Sequence, residues 1–353
     1  MSATWLWGPR VDVAVFAAPT LVGLTVLALA PAGAASSELS FLLLVIGVDV
    51  AHVWATLFRT YLDPDELRAR KATYAGVPLA CLALSIALHV ASPGLFWRAL
   101  AYLAVFHFVR QQVGWTAILR ARSGERGRLD RVIDEAAVYL ATGVPMLHWH
   151  ATIPRPFHWF VDGDFVPAPV LVRALPFADA ALVVALVVFA ARQVARAGLG
   201  RPFAAGKCLV VGSTAVSWWA AIVLSSSDLA FTALNVLPHG VPYFWLLFAY
   251  SRARADERPG TWASRVAALG LGAFVSSLVA LAFVEEMLWD RLVWHDHARL
   301  FGFLPEVDIG SVAHVVVPLL ALPQATHYAL DAVLWRRKDA GSAQRAALGL
   351  GTG

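Results

Sequence analysis

The sequence predicts an all-α integral membrane protein, a polytopic bundle of about ten transmembrane helices with both termini in the cytoplasm. Of its 353 residues, 59% are hydrophobic and only 15% are charged, and the mean hydropathy is +0.65. A soluble domain ordinarily carries about 25% charged residues. The high apolar content excludes a disordered chain, and a total of two cysteines excludes a disulfide-stabilised secreted scaffold.

Ten segments have the length and apolar character that a helix needs to cross a bilayer, which is about 20 residues. They lie at about 12–30, 39–62, 74–92, 95–119, 132–150, 173–192, 208–227, 229–250, 266–288 and 311–335. Several neighbours are separated by only a few Ser, Pro, Gly or Asp residues, which is typical of tight turns between antiparallel helices.

The distribution of basic residues predicts the orientation. With the N-terminus inside, most of the 28 Lys and Arg residues fall in cytoplasmic segments, as the positive-inside rule requires. We therefore expect one transmembrane domain over 1–338 and a mobile cytoplasmic tail over 339–353. The first segment also fits a cleaved signal peptide, although its length favours a retained helix. The basic loops lack the aromatic pattern of a nucleic-acid-binding surface, so no nucleic-acid partner is expected.

Four of the eleven histidines lie deep within predicted spans, one in each of four spans that run from outside to inside. They are His52, His107, His239 and His327. Their depths differ by about six residues, or roughly 9 Å along a helix. Because ionisable side chains are costly inside a bilayer, these histidines are candidates for a shared functional site.

Each of these histidines has polar neighbours three or four residues away, hence on the same face of its helix. These companions are Asp49, Arg110, Gln111, Asn235, Tyr243, Gln324 and Asp331. Metal-bound imidazoles commonly donate their second N–H to such groups. The alternative interpretation is that each polar residue forms only a hydrogen bond between helices.

A second group of histidines lies in the outer loops, where two pairs have the i, i+2 spacing that suits a metal-binding loop. The pairs are His148 with His150 and His295 with His297. The surrounding Trp-rich loops are also typical of interfacial anchors. Glu285 and Glu286, near the outer end of the ninth span, can likewise serve as anchoring charges.

Nitrogen-rich coordination by neutral imidazole suits iron, copper or zinc. Three functional classes place histidines in this way: a non-haem iron (Fe²⁺) oxygenase acting on a lipophilic substrate, a protein that binds haem b, and a proton-coupled transporter that uses the intramembrane His and Asp residues. A structural role is the fourth alternative. The His-x-x-x-His and His-x-x-His-His boxes of long-chain desaturases do not occur in the sequence.

One histidine on each of four helices, together with the string Leu237-Pro238-His239-Gly240, resembles the Brp/Blh family of membrane β-carotene dioxygenases. The acidic residue expected soon after the His-Gly pair is missing here. The resemblance implies an iron site of four histidines and a carotenoid- or lipid-like substrate that arrives from the bilayer.

In that scheme His52, His107, His239 and His327 hold Fe²⁺ in an oxidoreductase of the dioxygenase type. Asp49, Asn235, Gln324 and Asp331 orient them, Arg110 and Gln111 order the inner mouth of the site, and Tyr243 contacts oxygen or substrate. The lipid bilayer and a lipophilic small molecule are the expected partners, and no motif identifies an electron-transfer partner. The multi-pass topology favours a bacterial inner (plasma) membrane.

The topology leads to a direct test. A reporter enzyme fused after Lys338 is expected to be active only on the cytoplasmic side, because all ten spans then precede it. The measurement is the activity of paired cytoplasmic and periplasmic reporters at this position, with fusions after Asp308 as the control of opposite sign. A periplasmic signal after Lys338 would contradict the ten-span topology.

Overall fold

The computed structural model describes residues 4–335 and 341–349, which form helices, turns and loops but no strand. The long helices are numbered α1–α10 and comprise α1 (Pro9–Leu29), α2 (Glu38–Arg59), α3 (Lys71–Ala91), α4 (Pro93–Arg122), α5 (Arg128–Ala151), α6 (Leu175–Gly198), α7 (Ala205–Leu224), α8 (Asp228–Glu257), α9 (Leu271–Trp294) and α10, which has two parts (Ala313–Leu320 and Leu322–Leu334). The short helical segments are Pro64–Ala69, Pro169–Arg173, Trp262–Ala268, Ala298–Phe301, Gly310–Val312 and Ser342–Ala347. For the described part of the chain, the all-α prediction is confirmed.

Six of these helices are long and apolar enough to cross a membrane, namely α1, α2, α3, α6, α7 and α9. The chain is therefore a membrane protein by the length and composition of its helices. The other four predicted spans are also helical. However, α4, α5 and α8 do not combine length with high hydropathy and low charge, and α10 is interrupted at Ala321.

Four of the long helices contain π-helical turns. The longest, Phe41–Val50, lies in α2 directly before His52, and the others are Val13–Ala17, Trp219–Leu224 and Asp290–Trp294. π-helical turns rotate the side chains that follow them and occur frequently at functional sites. The turn in α2 therefore helps to set the direction in which His52 projects.

The helices cluster into two compact units, and the single domain over 1–338 stays a prediction. The first unit contains the described residues of 1–35, 105–242 and 348–350. Its apolar core includes Val113, Val138 and Phe189, which are all buried. Burial of such side chains supplies the main favourable contribution to the packing of α4, α5 and α6 within this unit.

A buried ion-pair network joins the helix ends of the first unit. Lys207 on α7 is fully buried, and its Nζ donates to Glu125 at 2.5 Å and to Asp134 on α5 at 3.0 Å. Arg192 on α6 donates to Asp130 at 2.7 Å. Because an unpaired buried charge costs several kcal/mol, each member of the network requires its partners.

The second unit contains the described residues of 36–104 and 243–347. Its core includes the buried side chains of Tyr74, Leu330 and Leu334. Arg59, at the end of α2, is buried and pairs with Glu66 at 2.8 Å. The charge of Arg59 is therefore compensated where α2 ends.

The predicted tail beyond 338 contains a short helix, and its mobility stays a prediction. Ser342–Ala347 is helical, Ala343 and Ala347 are buried, and the Gln344 side chain accepts a hydrogen bond from Arg59 at 3.1 Å. The cause is local, because the small alanine side chains allow close packing and Gln344 satisfies a buried guanidinium N–H. Positions 339–340 and 350–353 of the predicted tail lie outside the described residues.

Asp63 caps the helix Pro64–Ala69 and also binds α8. Its Oδ1 accepts the backbone N–H groups of Asp65 and Glu66 at 3.1 and 3.3 Å, and its carboxylate receives two hydrogen bonds from Arg254 and one from Tyr250, all at 2.7–2.9 Å. Burial opposes ionisation of Asp63, but the hydrogen bonds from Arg254 and Tyr250 outweigh it, so the pKa of this carboxyl lies below its usual value.

Replacing Asp63 by Asn is expected to lower the free energy of unfolding at pH 7 by about 2 kcal/mol, since hydrogen bonds to a charged partner are lost. A carboxylate whose pKa is depressed by folding stabilises the protein above its unfolded pKa of about 3.9, and this contribution is lost as the pH falls through the folded pKa. The difference between variant and wild type should therefore shrink below about pH 4. The measurement is unfolding of the detergent-solubilised protein at several pH values, with the exposed Asp256→Asn as control. A difference that does not depend on pH would contradict the assignment.

Candidate metal centre

The structure brings together the four histidines that the sequence predicts. His52, His107, His239 and His327 each offer one ring nitrogen, and the four nitrogens all lie within 4.8 Å of one another. The four residues are 0, 4, 1 and 1% exposed. In the described part of the chain, this is the one group of three or more His, Cys, Asp or Glu residues arranged to hold a metal ion.

His327 on α10 is held by a chain of hydrogen bonds. Its Nδ1 lies 2.7 Å from Thr56 Oγ1 on α2, and Thr56 Oγ1 lies 3.1 Å from the Tyr243 hydroxyl on α8. Tyr243 in turn donates to Asp331 Oδ1 at 3.0 Å, and Trp335 Nε1 donates to the same oxygen at 2.7 Å. All members of the chain are thereby satisfied.

The chain fixes the tautomer of His327. The Tyr243 proton is used on Asp331, so Thr56 must donate its own proton to Tyr243 and accept one from His327 Nδ1. Nε2 of His327 is then the unprotonated ring nitrogen, which is the form in which an imidazole nitrogen binds a metal. A hydrogen bond that fixes one ring nitrogen in this way is a common feature of metal-binding histidines.

His52 has a carboxylate beside it, as predicted. The Oδ1 atom of Asp49 lies 3.9 Å from His52 Nδ1, which is longer than a hydrogen bond but short enough for an electrostatic interaction. The His52 and His327 rings meet edge to face, with centroids 5.0 Å apart. Asp49 therefore favours a proton on the nitrogen of His52 that faces it.

Aromatic packing orients the other two histidines. The Phe108 ring stacks on His239 with centroids 3.5 Å apart and an angle of 11° between the planes, and His107 meets His239 edge to face at 5.1 Å. Phe108 itself packs against Trp159 from the loop that follows α5. Because stacked rings restrict rotation, the Phe108 ring holds the orientation of the His239 imidazole.

A small polar cavity of about 10 Å³ adjoins His239. Its wall includes Asn235, Gln112 and Thr214, and the Thr214 hydroxyl donates to Gln112 Oε1 at 3.1 Å. A cavity of this size and polarity matches a single water molecule. Asn235 thus shares a polar pocket with His239, and Gln111 is buried beside Gln112, to which its side chain is hydrogen-bonded.

Two of the predicted companions have other partners. Arg110 is exposed and donates to the Tyr139 hydroxyl at 2.7 Å, so the structure gives no support for its predicted catalytic role. Gln324 donates to the Tyr328 hydroxyl at 2.8 Å. The helical spacing places both residues on the expected side of their helices, but their long side chains extend to other groups.

Three of the four outer histidines have partners close by, and a metal-binding role for the two pairs stays a prediction. His148 pairs with Asp179 at 2.8 Å, and His150 Nδ1 lies 2.6 Å from the carbonyl oxygen of Met146. His297 stacks on Phe41 and lies 3.4 Å from Glu38, and the backbone of His295 is in the left-handed conformation. His148, His150 and His297 therefore each have a carboxylate or carbonyl partner of their own.

Glu285, which the sequence offers as an anchoring charge, has a partner inside the second unit. Glu285 is buried, and its Oε2 accepts a hydrogen bond from Trp54 Nε1 at 2.6 Å, two residues beyond His52 on α2. Glu286 is buried as well. These carboxyl groups belong to the interior of the second unit.

Thr56 is the functional residue that the sequence analysis missed. It follows His52 by four residues, so the same helical spacing that identified the other companions also applied to it. A threonine in a membrane helix usually bonds to its own backbone, so the spacing of Thr56 from His52 is a weak indication of a role at the site.

Comparison of the chain with protein-family models, with curated proteins and with solved structures found no match.

Replacing Thr56 by Val is expected to weaken metal binding by about 10- to 100-fold, because His327 loses the acceptor that fixes its tautomer. The measurement is the metal content after dialysis against a graded chelator. Thr56→Ser should restore binding. Thr142→Val is the matched control, since the buried Thr142 hydroxyl bonds only to carbonyl groups of its own helix. Equal metal retention by Thr56→Val and wild type would contradict the role of Thr56.

Proposed function

We propose that the four buried histidines hold one Fe²⁺ ion in an integral membrane non-haem oxygenase. The observation that carries the proposal is the approach of four imidazole nitrogens to within 4.8 Å of one another. Ligands of one ion at about 2.1 Å lie no more than about 4.2 Å apart, so a small contraction is enough to close the site. Neutral imidazoles can hold a cation without burying a carboxylate charge.

The donor set supports a transition metal rather than Mg²⁺ or Ca²⁺, because imidazole suits iron, copper, zinc and nickel, whereas the hard cations need oxygen ligands. A bound iron ion would supply the redox chemistry that allows O₂ to react with an apolar substrate. The chain's own contribution is to bury the ligands and to exclude water. Its hydrogen-bond chain from Thr56 to Asp331 keeps His327 in the tautomer that binds metal.

In this proposal Tyr243 acts on the ligand set rather than on the substrate. Its hydroxyl is hydrogen-bonded to Thr56 and to Asp331, and the side chain is buried. The hydroxyl therefore uses both its donor and its acceptor capacity within the protein. Tyr243 is therefore a positioning residue for His327, and the substrate is a lipophilic, carotenoid- or lipid-like molecule from the bilayer.

The full topology also belongs to the proposal. All ten predicted spans coincide with helical segments, which supports ten crossings of a bacterial inner membrane with both termini in the cytoplasm. Pro318 and Pro323 account for the interruption of the tenth span, since proline removes a backbone donor and crowds the preceding turn.

The two alternatives differ in what they need from the histidines. A haem takes four equatorial positions with its own nitrogens and leaves two for axial imidazoles, so it does not account for four mutually close histidines. One observation favours a proton-coupled transporter: both histidines of the second unit have a carboxyl group nearby. Asp49 lies 3.9 Å from His52, and Asp331 is connected to His327 through Tyr243 and Thr56. Metal content separates this alternative from the oxygenase.

Purified protein is expected to contain about one iron per chain without the intense absorption band of a haem, because the four imidazoles form one site. Replacing any of His52, His107, His239 or His327 by Ala should remove most of the metal. His297→Ala, which alters a histidine paired with Glu38 instead, is the control. The measurement is elemental analysis combined with an absorption spectrum, made after anaerobic addition of Fe²⁺.

Full metal retention by His52→Ala or His327→Ala would contradict the four-ligand centre. A haem absorption band would replace it with the haem alternative. Absence of metal after anaerobic loading would leave the transporter as the better proposal.

A further inference from the structure

The second unit contains an apolar cavity of about 250 Å³ that reaches His327. Three helices contribute to its wall: α2, α3 and α10. The apolar lining includes Val53, Leu57, Pro78, Leu319, Leu322 and Pro323. This volume is much larger than a single water needs and approaches the lower end of the range of pockets that bind small molecules.

Prolines on two facing elements explain why the helices leave this space. Pro78 lies inside α3, and Pro323 begins the second part of α10 directly after the interruption at Ala321. Each proline removes a backbone N–H and crowds the turn before it, so the helix bends or breaks there. Because Pro78 and Pro323 both line the cavity, the irregular stretches of α3 and α10 face the same space.

Exposure falls along the wall from one end to the other. Leu319 is 52% exposed, whereas Leu330 and His327 are 0 and 1% exposed. α3 and α2 are apolar and long enough to span a membrane, so an opening beside them faces lipid chains rather than water. The cavity therefore meets lipid at Leu319, and His327 and Leu330 mark its most buried end.

The most buried end of the cavity, at His327 and Leu330, carries polar groups. His327 and Thr56 both line the cavity, and Thr56 Oγ1 already fixes His327 Nδ1 at 2.7 Å. A ligand that enters from lipid thus passes apolar residues first and ends at a histidine of the candidate metal centre.

We propose that this cavity binds the end of a single hydrocarbon chain of an amphiphilic lipid, inserted tail first. A cavity that meets lipid at Leu319 and is buried at His327 can admit the end of a chain, and its apolar wall matches a hydrocarbon. The polar head of the lipid then stays outside Leu319. The further claim, that this lipid is the substrate and places its terminal carbons beside the metal centre, rests on the proposed function. Binding of the hydrocarbon chain in the cavity does not depend on that function.

The test uses palmitic acid with a photoreactive diazirine at one of two positions, and the whole chain reconstituted in phosphatidylcholine nanodiscs. The probe with the diazirine at the terminal end of the chain is expected to label residues around Leu322 and Leu330. The probe with the diazirine near the carboxyl group should leave these residues unlabelled. Labelled peptides are identified by mass spectrometry, and unlabelled palmitate should compete.

Leu322→Trp is designed to fill the cavity, and it should lower terminal-probe labelling severalfold, because the indole ring takes the space of the chain end. Leu79→Trp is the matched control, since Leu79 is 66% exposed and adjoins Pro78 without lining the cavity. Leu319→Trp narrows the entrance and serves as a second variant should Leu322→Trp misfold.

Three results would overturn the proposal. One is equal labelling of the cavity by both probes, another is labelling that neither cavity variant lowers, and the third is no labelling of the cavity by the terminal probe. Metal content is measured on the same samples. Protein without metal that still shows specific terminal-probe labelling would retain the lipid site and reject the oxygenase.

Discussion

The structure depends on one constraint, that a polar group within an apolar helix bundle must find its partner inside the protein. His327 meets this constraint through Thr56, and Tyr243 meets it through Asp331. The requirement selects particular rotamers and tautomers, so the same hydrogen bonds that make burial tolerable also set the tautomer of His327. Stability and chemical competence have a common origin at this site.

The two units satisfy the constraint in different ways. In the first unit, Lys207 compensates buried carboxylates, and aromatic rings hold His239. In the second unit, the hydroxyl groups of Thr56 and Tyr243 form a chain that ends at Asp331, and Asp63, at a helix end, pairs with Arg254. Charge pairing suits helix ends, whereas neutral hydrogen-bond chains cost less desolvation and suit the interior of an apolar helix.

Much of the site could be predicted because helical spacing and depth depend only on the sequence. The depths of His52, His107, His239 and His327 in the spans predict their meeting, and the structure brings these four together. The position of a long side chain could not be predicted, since Arg110 has several rotatable bonds and reaches Tyr139 instead. The cavity beside Pro78 also could not be predicted, because it results from two helix irregularities that are far apart in sequence but adjacent in the second unit.

The Lys207 network has a consequence for biogenesis. Asp134 and Glu125 are synthesised well before Lys207, which lies 73 residues after Asp134. Before α7 is made, Asp134 has Arg120 at 3.4 Å and Glu125 has Arg196 at 3.8 Å, but neither has the buried ammonium group. Full compensation of these carboxylates therefore requires α7, because burying them incompletely paired is costly. The buried lysine thus makes the packing of α5 depend on a helix that follows it in the chain.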